Sequence, residues 1–180
     1  MIDIGTKILD TDRLSLRKFD KEDASDIFNN WASDIEVVKY LSWDVHKNIE
    51  VTKKYVDYLL EGYKQSNNYH WAIVFKETNE VIGDISAVSI DEKNNSCEIG
   101  YCISHKFWNM GIMTEALNRV IEFFISEVKV KRVYAKHDIR NIGSGKVMKK
   151  AGMNYLETIR KVDSTKGEYD ADVYFFETDK

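Results

Sequence analysis

Apolar and polar positions divide the chain into segments of two periods. Leu14 and Leu16 alternate with polar neighbours over residues 12–18, the pattern of a half-buried strand. Asp20 then stands where a helix cap belongs, with Asp23 in the first turn and Ala24, Ile27, Phe28 and Trp31 on one helical face. Over 48–64, Val51, Tyr55, Tyr58 and Leu59 recur at helical spacing and predict a second helix. Strand patterns follow at 69–76, 80–90 and 96–103, joined by turns at Thr78-Asn79 and Glu92-Lys93-Asn94-Asn95. The clearest helix pattern covers 113–127, where Met113, Ala116, Leu117, Val120, Ile121 and Phe124 fall on one stripe. A strand over 131–137, with Val133 and Ala135 inward, leads to a short helix over 142–151. That helix turns Val147, Met148 and Ala151 inward and stops at Gly152. Strand patterns at 153–162 and 170–177 follow.

The order is β-α-α-β-β-β-α-β-α-β-β. Its middle strands suit antiparallel hairpins, and the β-α-β after them suits a parallel crossover. An α/β (α+β) fold follows, a mixed sheet with helices on both faces. The 180 residues fit one domain, 1–180. A content of 43% hydrophobic and 31% charged residues is that of a chain with a core. No run approaches the ~20 apolar residues of a membrane span, and residues 1–5 lack the layout of a secretion signal. Cys97 and Cys102 share one strand at odd spacing, so they point to opposite faces and do not pair. Free thiols imply a cytoplasmic setting, in which the sequon Asn94-Asn95-Ser96 has no meaning. A net charge of −4 speaks against a nucleic-acid partner and suits a cationic substrate.

Two strand-to-helix junctions carry candidate chemistry. Cys97-Glu98-Ile99-Gly100-Tyr101-Cys102-Ile103-Ser104 runs through a loop containing Gly111 into the strongest helix. The free N–H groups and positive dipole end of that helix suit an anion, although a plain structural turn has the same pattern. At the second junction Asn141 is a natural helix cap and Ser144 a first-turn hydroxyl, and capping alone accounts for both. Two parallel-related β-α units set both helix N-termini at one sheet edge, where ligands bind in open α/β sheets.

These residues resemble the GNAT superfamily of N-acetyltransferases, and in detail its RimJ/RimL-like branch of ribosomal-protein-alanine acetyltransferases. Thr11-Asp12-Arg13-Leu14-Ser15-Leu16-Arg17 is similar to the branch's opening Thr-Glu-Arg-Leu-x-Leu-Arg strand. Glu98-Ile99-Gly100-Tyr101 is similar to its fourth strand. Trp108-Asn109-Met110-Gly111-Ile112-Met113-Thr114-Glu115-Ala116 is similar to its pyrophosphate loop, Trp-Gly-x-Gly-x-Ala-Thr-Glu-Ala. Asn141, Ser144 and Lys150-Ala151-Gly152-Met153 match its Asn-x-x-Ser and the turn that follows. Asn109 departs by replacing the first loop glycine, and Met113 by replacing a small residue. Asn tolerates left-handed φ, and the bulkier Met113 leaves the loop free only if it turns into the core.

The resemblance implies a central, mixed, mostly antiparallel seven-stranded sheet, flanked by about four helices and splayed between strands 4 and 5. It implies acetyl-CoA as cosubstrate, no metal, and direct attack by an amine without an acetyl-enzyme. Tyr101, Cys102 and Ile103 would polarise the thioester carbonyl through the backbone, and Trp108 to Thr114 (Trp108, Asn109, Met110, Gly111, Ile112, Met113, Thr114) would hold the pyrophosphate. Asn141 would hold the pantetheine arm and Ser144 would stand near the sulfur as general acid. Glu98 is the candidate base; its other reading is a strand carboxylate paired with Lys or Arg. Trp31, Tyr40, Trp43 and Tyr58 could line the acceptor site, and each has core packing as its alternative. The partner is an amine acceptor, with no nucleic acid or membrane, and the chain a monomer or homodimer.

Other readings fit less well. Gly143-Ser144-Gly145-Lys146 lacks the first phosphate-loop glycine, where Arg140 stands, and the hydroxyl after the lysine, where Val147 stands. Ser144 lacks the flanking glycine of a hydrolase elbow. His46, His70, His105 and His137 show no metal-ligand spacing. The rival that stays open is a non-catalytic domain of the same fold that binds acyl-CoA or a partner.

Overall fold

The computed structural model describes residues 1–178. Eight strands form one sheet in the order β1-β2-β3-β4-β5-β6-β8-β7. They are β1 (Leu9–Asp10), β2 (Leu14–Arg17), β3 (His70–Phe75), β4 (Glu80–Asp91), β5 (Ser96–Ile103), β6 (Arg132–Asp138), β7 (Asn154–Val162) and β8 (Tyr169–Glu177). The eighth strand is β1, two residues paired with Ser15 and Leu16 at the sheet edge. It is too short to show a period in sequence, which is why seven strands were expected. All neighbouring pairs are antiparallel except β5 with β6.

Helices α1 (Ala24–Ile27), α2 (Ile35–Val38) and α3 (Ile49–Gly62) cover one face, and α4 (Ile112–Phe123) and α5 (Ile142–Lys150) the other. Strand β3 shows both faces at once. Trp71, Ile73 and Phe75 join the core under α4, while Ala72 and Val74 join the core under α1 and α3. The stripe predicted for α4 is buried throughout, from Met113 to Phe124. Its last turn widens into a π-turn over Phe124–Val128.

Two helical expectations need correction. The first helix is broken into a 3-10 turn, α1, a π-turn over Phe28–Ala32 and α2. Asp20 caps its start and Asp34, by accepting from the Glu36 N–H, caps α2. In α3, capped by Asn48, the inward residues are Thr52, Val56 and Leu59. Val51 faces outward and Tyr58 is 73% exposed. The two stripes differ by one position, and large apolar residues on both left the phase ambiguous.

The feature that positions the site is where the parallel pair parts. β5 and β6 pair only at Ser96↔Arg132, Cys97↔Val133 and Glu98↔Tyr134. β5 stays paired with β4 as far as Gly83↔Ile103, and β6 stays paired with β8 along its whole length. The sheet therefore opens after Glu98, at the splay the resemblance implied.

Candidate active site

Past Glu98, β5 has one edge free of β6. The Ser104 N–H returns to the Ile82 carbonyl at 2.8 Å. By strand alternation the N–H and C=O groups of Tyr101 and Ile103 turn the other way, into the gap. Trp108 Nε1 donates to the Ile103 carbonyl at 3.0 Å. The two N–H groups face the gap as donors, and the buried hydroxyl of Ser104, next in the chain, has no partner among the described residues. Cys102 differs: its backbone faces β4 and its thiol meets Asp84 Oδ1 at 3.4 Å.

The loop from Ser104 to Gly111 has left-handed backbone at two points, Asn109 (φ 62°) and Gly111 (φ 76°). Asn109 thus adopts the conformation that the missing glycine would supply. Gly111 precedes α4 with no side-chain cap, so the N–H groups of Ile112, Met113 and Thr114 stay open to an anion. Met113 is buried in the core and leaves the loop clear.

Sequence reasoning missed what holds this loop. Arg13 Nη1 donates to the Met110 carbonyl at 3.0 Å. Glu115 on α4 grips Arg13 from the other side, at 2.7 Å from Nε, and accepts from the Arg13 N–H at 3.0 Å and from Thr11 Oγ1 at 2.6 Å. Burial alone would raise the Glu115 carboxyl, but these donors together hold it below its ordinary range. Both residues stood inside motifs quoted above; only their pairing across the chain was invisible.

At the second junction Asn141 does cap α5: its Oδ1 accepts from the Ser144 N–H at 3.1 Å. The turn before it is set by Asp138, whose carboxylate takes Arg140 Nε at 2.9 Å and whose carbonyl takes the Asn141 N–H at 2.7 Å. Gly145 lets α5 close on β6, since a Cβ there would stand 2.7 Å from His137 Nε2. Tyr101 meets Ser144 across the gap, Oη to Oγ at 2.9 Å. Burial pushes the Tyr101 phenol far above its ordinary value, so it keeps its proton at neutral pH.

On the α1–α3 face, Glu98 pairs with Lys136 at 3.0 Å, the ion-pair arrangement that competed with the base role. Tyr40 lies under Arg140, 5.9 Å from ring centroid to guanidinium, and Trp43 stands 5.4 Å from His46. Both line the loop between α2 and α3. The β7–β8 turn reaches over to the same loop through Lys166 Nζ on the Val38 carbonyl at 2.6 Å and Thr165 Oγ1 on Ser42 at 2.7 Å. Trp31 is 1% exposed within the core and Tyr58 points to solvent, so neither lines this region. Burial pushes the Cys97 thiol up to about 12 and, with the nearby Asp84 charge, the Cys102 thiol well above its ordinary range. Neither is a thiolate nucleophile at neutral pH. They lie free on opposite faces. Among the described residues no cluster of three or more His, Cys, Asp or Glu suits a metal, and no helix is long and apolar enough to cross a membrane.

A parted parallel pair, free backbone donors along one edge and an anion-ready helix N-terminus beside them define a group transferase that holds an extended phosphorylated donor. The comparisons agree. The acetyltransferase (GNAT) domain family matches residues 13–154, and the chain belongs to it. It is 34% identical over 170 residues to the uncharacterized N-acetyltransferase p20 of Bacillus licheniformis, covering 92% of each chain. A GNAT-family acetyltransferase from Bacillus anthracis has the same fold, with a TM-score of 0.83 at 23% identity over 95% of this chain and 98% of that one. So does a RimL ribosomal-protein alpha-N-acetyltransferase in complex with coenzyme A, with a TM-score of 0.83 at 19% identity over 95% and 98%.

Proposed function

We propose that the chain transfers the acetyl group of acetyl-CoA to a primary amine, a peptide N-terminus or a small-molecule amine, by direct attack. One observation carries the reading: the Tyr101 and Ile103 N–H groups lie unpaired in the gap of a family whose members transfer acetyl groups. The donor fits the residues present. The gap supplies two N–H groups, and the left-handed loop supplies the helix N-terminus for its pyrophosphate. When bound, acetyl-CoA supplies an activated acyl carbon and a thiolate leaving group of ordinary pKa near ~8.5.

The chain's own groups then divide the work. Tyr101 and Ile103 N–H polarise the acyl oxygen. Asn109 to Thr114 bind the phosphates, and Asn141 orients the pantetheine arm while capping α5. Ser144, backed by the protonated Tyr101, gives a proton to the departing sulfur. Glu98, fixed by Lys136, takes the amine proton through a water. An α-amine near ~7.7–8.0 needs little help with that proton, whereas an alkyl amine near ~10.4 needs much more.

The RimJ/RimL-like assignment belongs to this reading, supported by the order of the motifs and the likeness to the RimL fold. The free, buried cysteines support a cytoplasmic setting.

Acceptor profiling tests it. Acetyl-CoA is supplied with peptide N-termini, polyamines and amino sugars, and free thiol and acetylated product are followed together. Saturable product formation with at least one amine is expected. Tight CoA binding without turnover on any amine would instead make the chain a binding module.

A further inference from the structure

On β4, in register with the donor segment of β5, stands a carboxylate that the mechanism above does not use. Asp84 pairs in register with Cys102, between the Tyr101 and Ile103 donors. Directly opposed Cα atoms in such a ladder are about 5 Å apart. Glu98 lies four residues further along β5, or about 13 Å at strand rise. The Asp84 side chain is 14% exposed and lies on the α1–α3 face.

Its neighbours donate hydrogen bonds but bring no Lys or Arg. Tyr55 Oη donates to Oδ2 at 3.2 Å, His70 Nε2 stands 3.1 Å from the same oxygen, and the Cys102 thiol meets Oδ1. Tyr63, packed behind, spends its hydroxyl on the His70 carbonyl. His70 is thus the one potential cation in contact with the Asp84 carboxylate. Among the described residues no Lys or Arg lies within ion-pair distance of Asp84, whereas Glu98 has Lys136. A mostly buried carboxylate with no Lys or Arg beside it favours a cationic ligand. Further rings lie beside Tyr55, which stands 5.8 Å from His46, and His46 stands 5.4 Å from Trp43. Rings and a carboxylate together suit an organic ammonium ion.

We propose that Asp84 is the acceptor-binding anion: it docks the ammonium group of the incoming amine against the donor edge, with Tyr55, His46 and Trp43 as the wall. This rests on the acetyl-transfer reading and adds a specificity determinant to it. Asp84 selects cationic amines over neutral nucleophiles of the same shape, and Tyr55 and His70 act as positioning residues that hold its carboxylate.

The test needs no turnover. Wild-type protein saturated with CoA is titrated with benzylammonium and with benzyl alcohol. The ammonium should bind at least about tenfold tighter, and only it should shift the His70 ring-proton resonances. In Asp84→Asn the preference should vanish while CoA affinity stays within about twofold. Equal affinity of the wild type for the two probes, no binding of either, or a preference that survives in Asp84→Asn would overturn the proposal. The wild-type arm stands even if the variant does not fold. Failure of CoA binding, or of every amine in the acceptor panel, would instead count against the transferase reading.

Discussion

The two helix N-termini at the parted end of the sheet are held by opposite means. α5 is capped locally, by Asn141 three residues before the N–H it serves. α4 has no side-chain cap, and the loop before it is held by Arg13, which Glu115 in the first turn of α4 grips in place. A cap within the turn satisfies a backbone donor and so occupies part of the anion site. A brace from Arg13, in the turn between β1 and β2, fixes the loop and leaves its N–H groups free. The difference teaches that the α4 N-terminus keeps its N–H groups free for an anion, while the α5 N-terminus spends one on its own cap at Ser144.

Breaking the brace should give the largest effect. Charge-assisted hydrogen bonds contribute about 1.5–3 kcal/mol, so Glu115→Ala or Arg13→Ala should weaken CoA binding about 10–100-fold by calorimetry. Arg13→Lys should not rescue it, because one ammonium cannot serve Glu115 and the Met110 carbonyl in the same fork geometry. Unchanged affinity in both alanine variants would remove the brace from the account.

The cap should give a smaller and different effect. Asn141→Ala should cost about 1 kcal/mol of stability, seen as a lower Tm, together with slower acetyl transfer. Unchanged kinetics and stability would sink its role.

The brace also has a pH signature. The Glu115 carboxyl is held below its ordinary value by net hydrogen bonding. Its contribution is therefore present above the unfolded carboxylate range near ~4.3, and is lost as pH falls through the lower folded value. Wild type should lose stability over that acid window more steeply than Glu115→Gln; parallel acid profiles would contradict the assignment.

The smallest effect belongs to Asn109→Gly. The backbone is already left-handed there, so CoA affinity should change by less than about twofold, while Asn109→Val should impair it.

How much of this was legible follows from the range of each interaction. The α4 stripe and the alternation around Leu14 and Leu16 are local patterns, and Met113 to Phe124 and both leucines lie as their periods require. The phase of α3 was not legible, because Leu59 fits both a stripe with Val51 and Tyr58 and the buried one with Thr52 and Val56. Trp31 looks the same in sequence whether it lines a pocket or fills the core. Asn141 and Ser144 were legible as a capping pair, and Tyr101 only as backbone, since its hydroxyl finds Ser144 by folding. The Arg13–Glu115 contact spans 102 residues, and Asp84 reads as one polar position in a strand until Cys102 and Tyr55 are placed beside it.

Amide hydrogen exchange with and without acetyl-CoA tests the central claim most directly. The account predicts that saturating acetyl-CoA slows exchange at the Tyr101 and Ile103 amides and at Ile112 to Thr114, and leaves Cys102, already bonded to β4, unchanged. Saturated binding with no added protection at Tyr101 and Ile103 would contradict it.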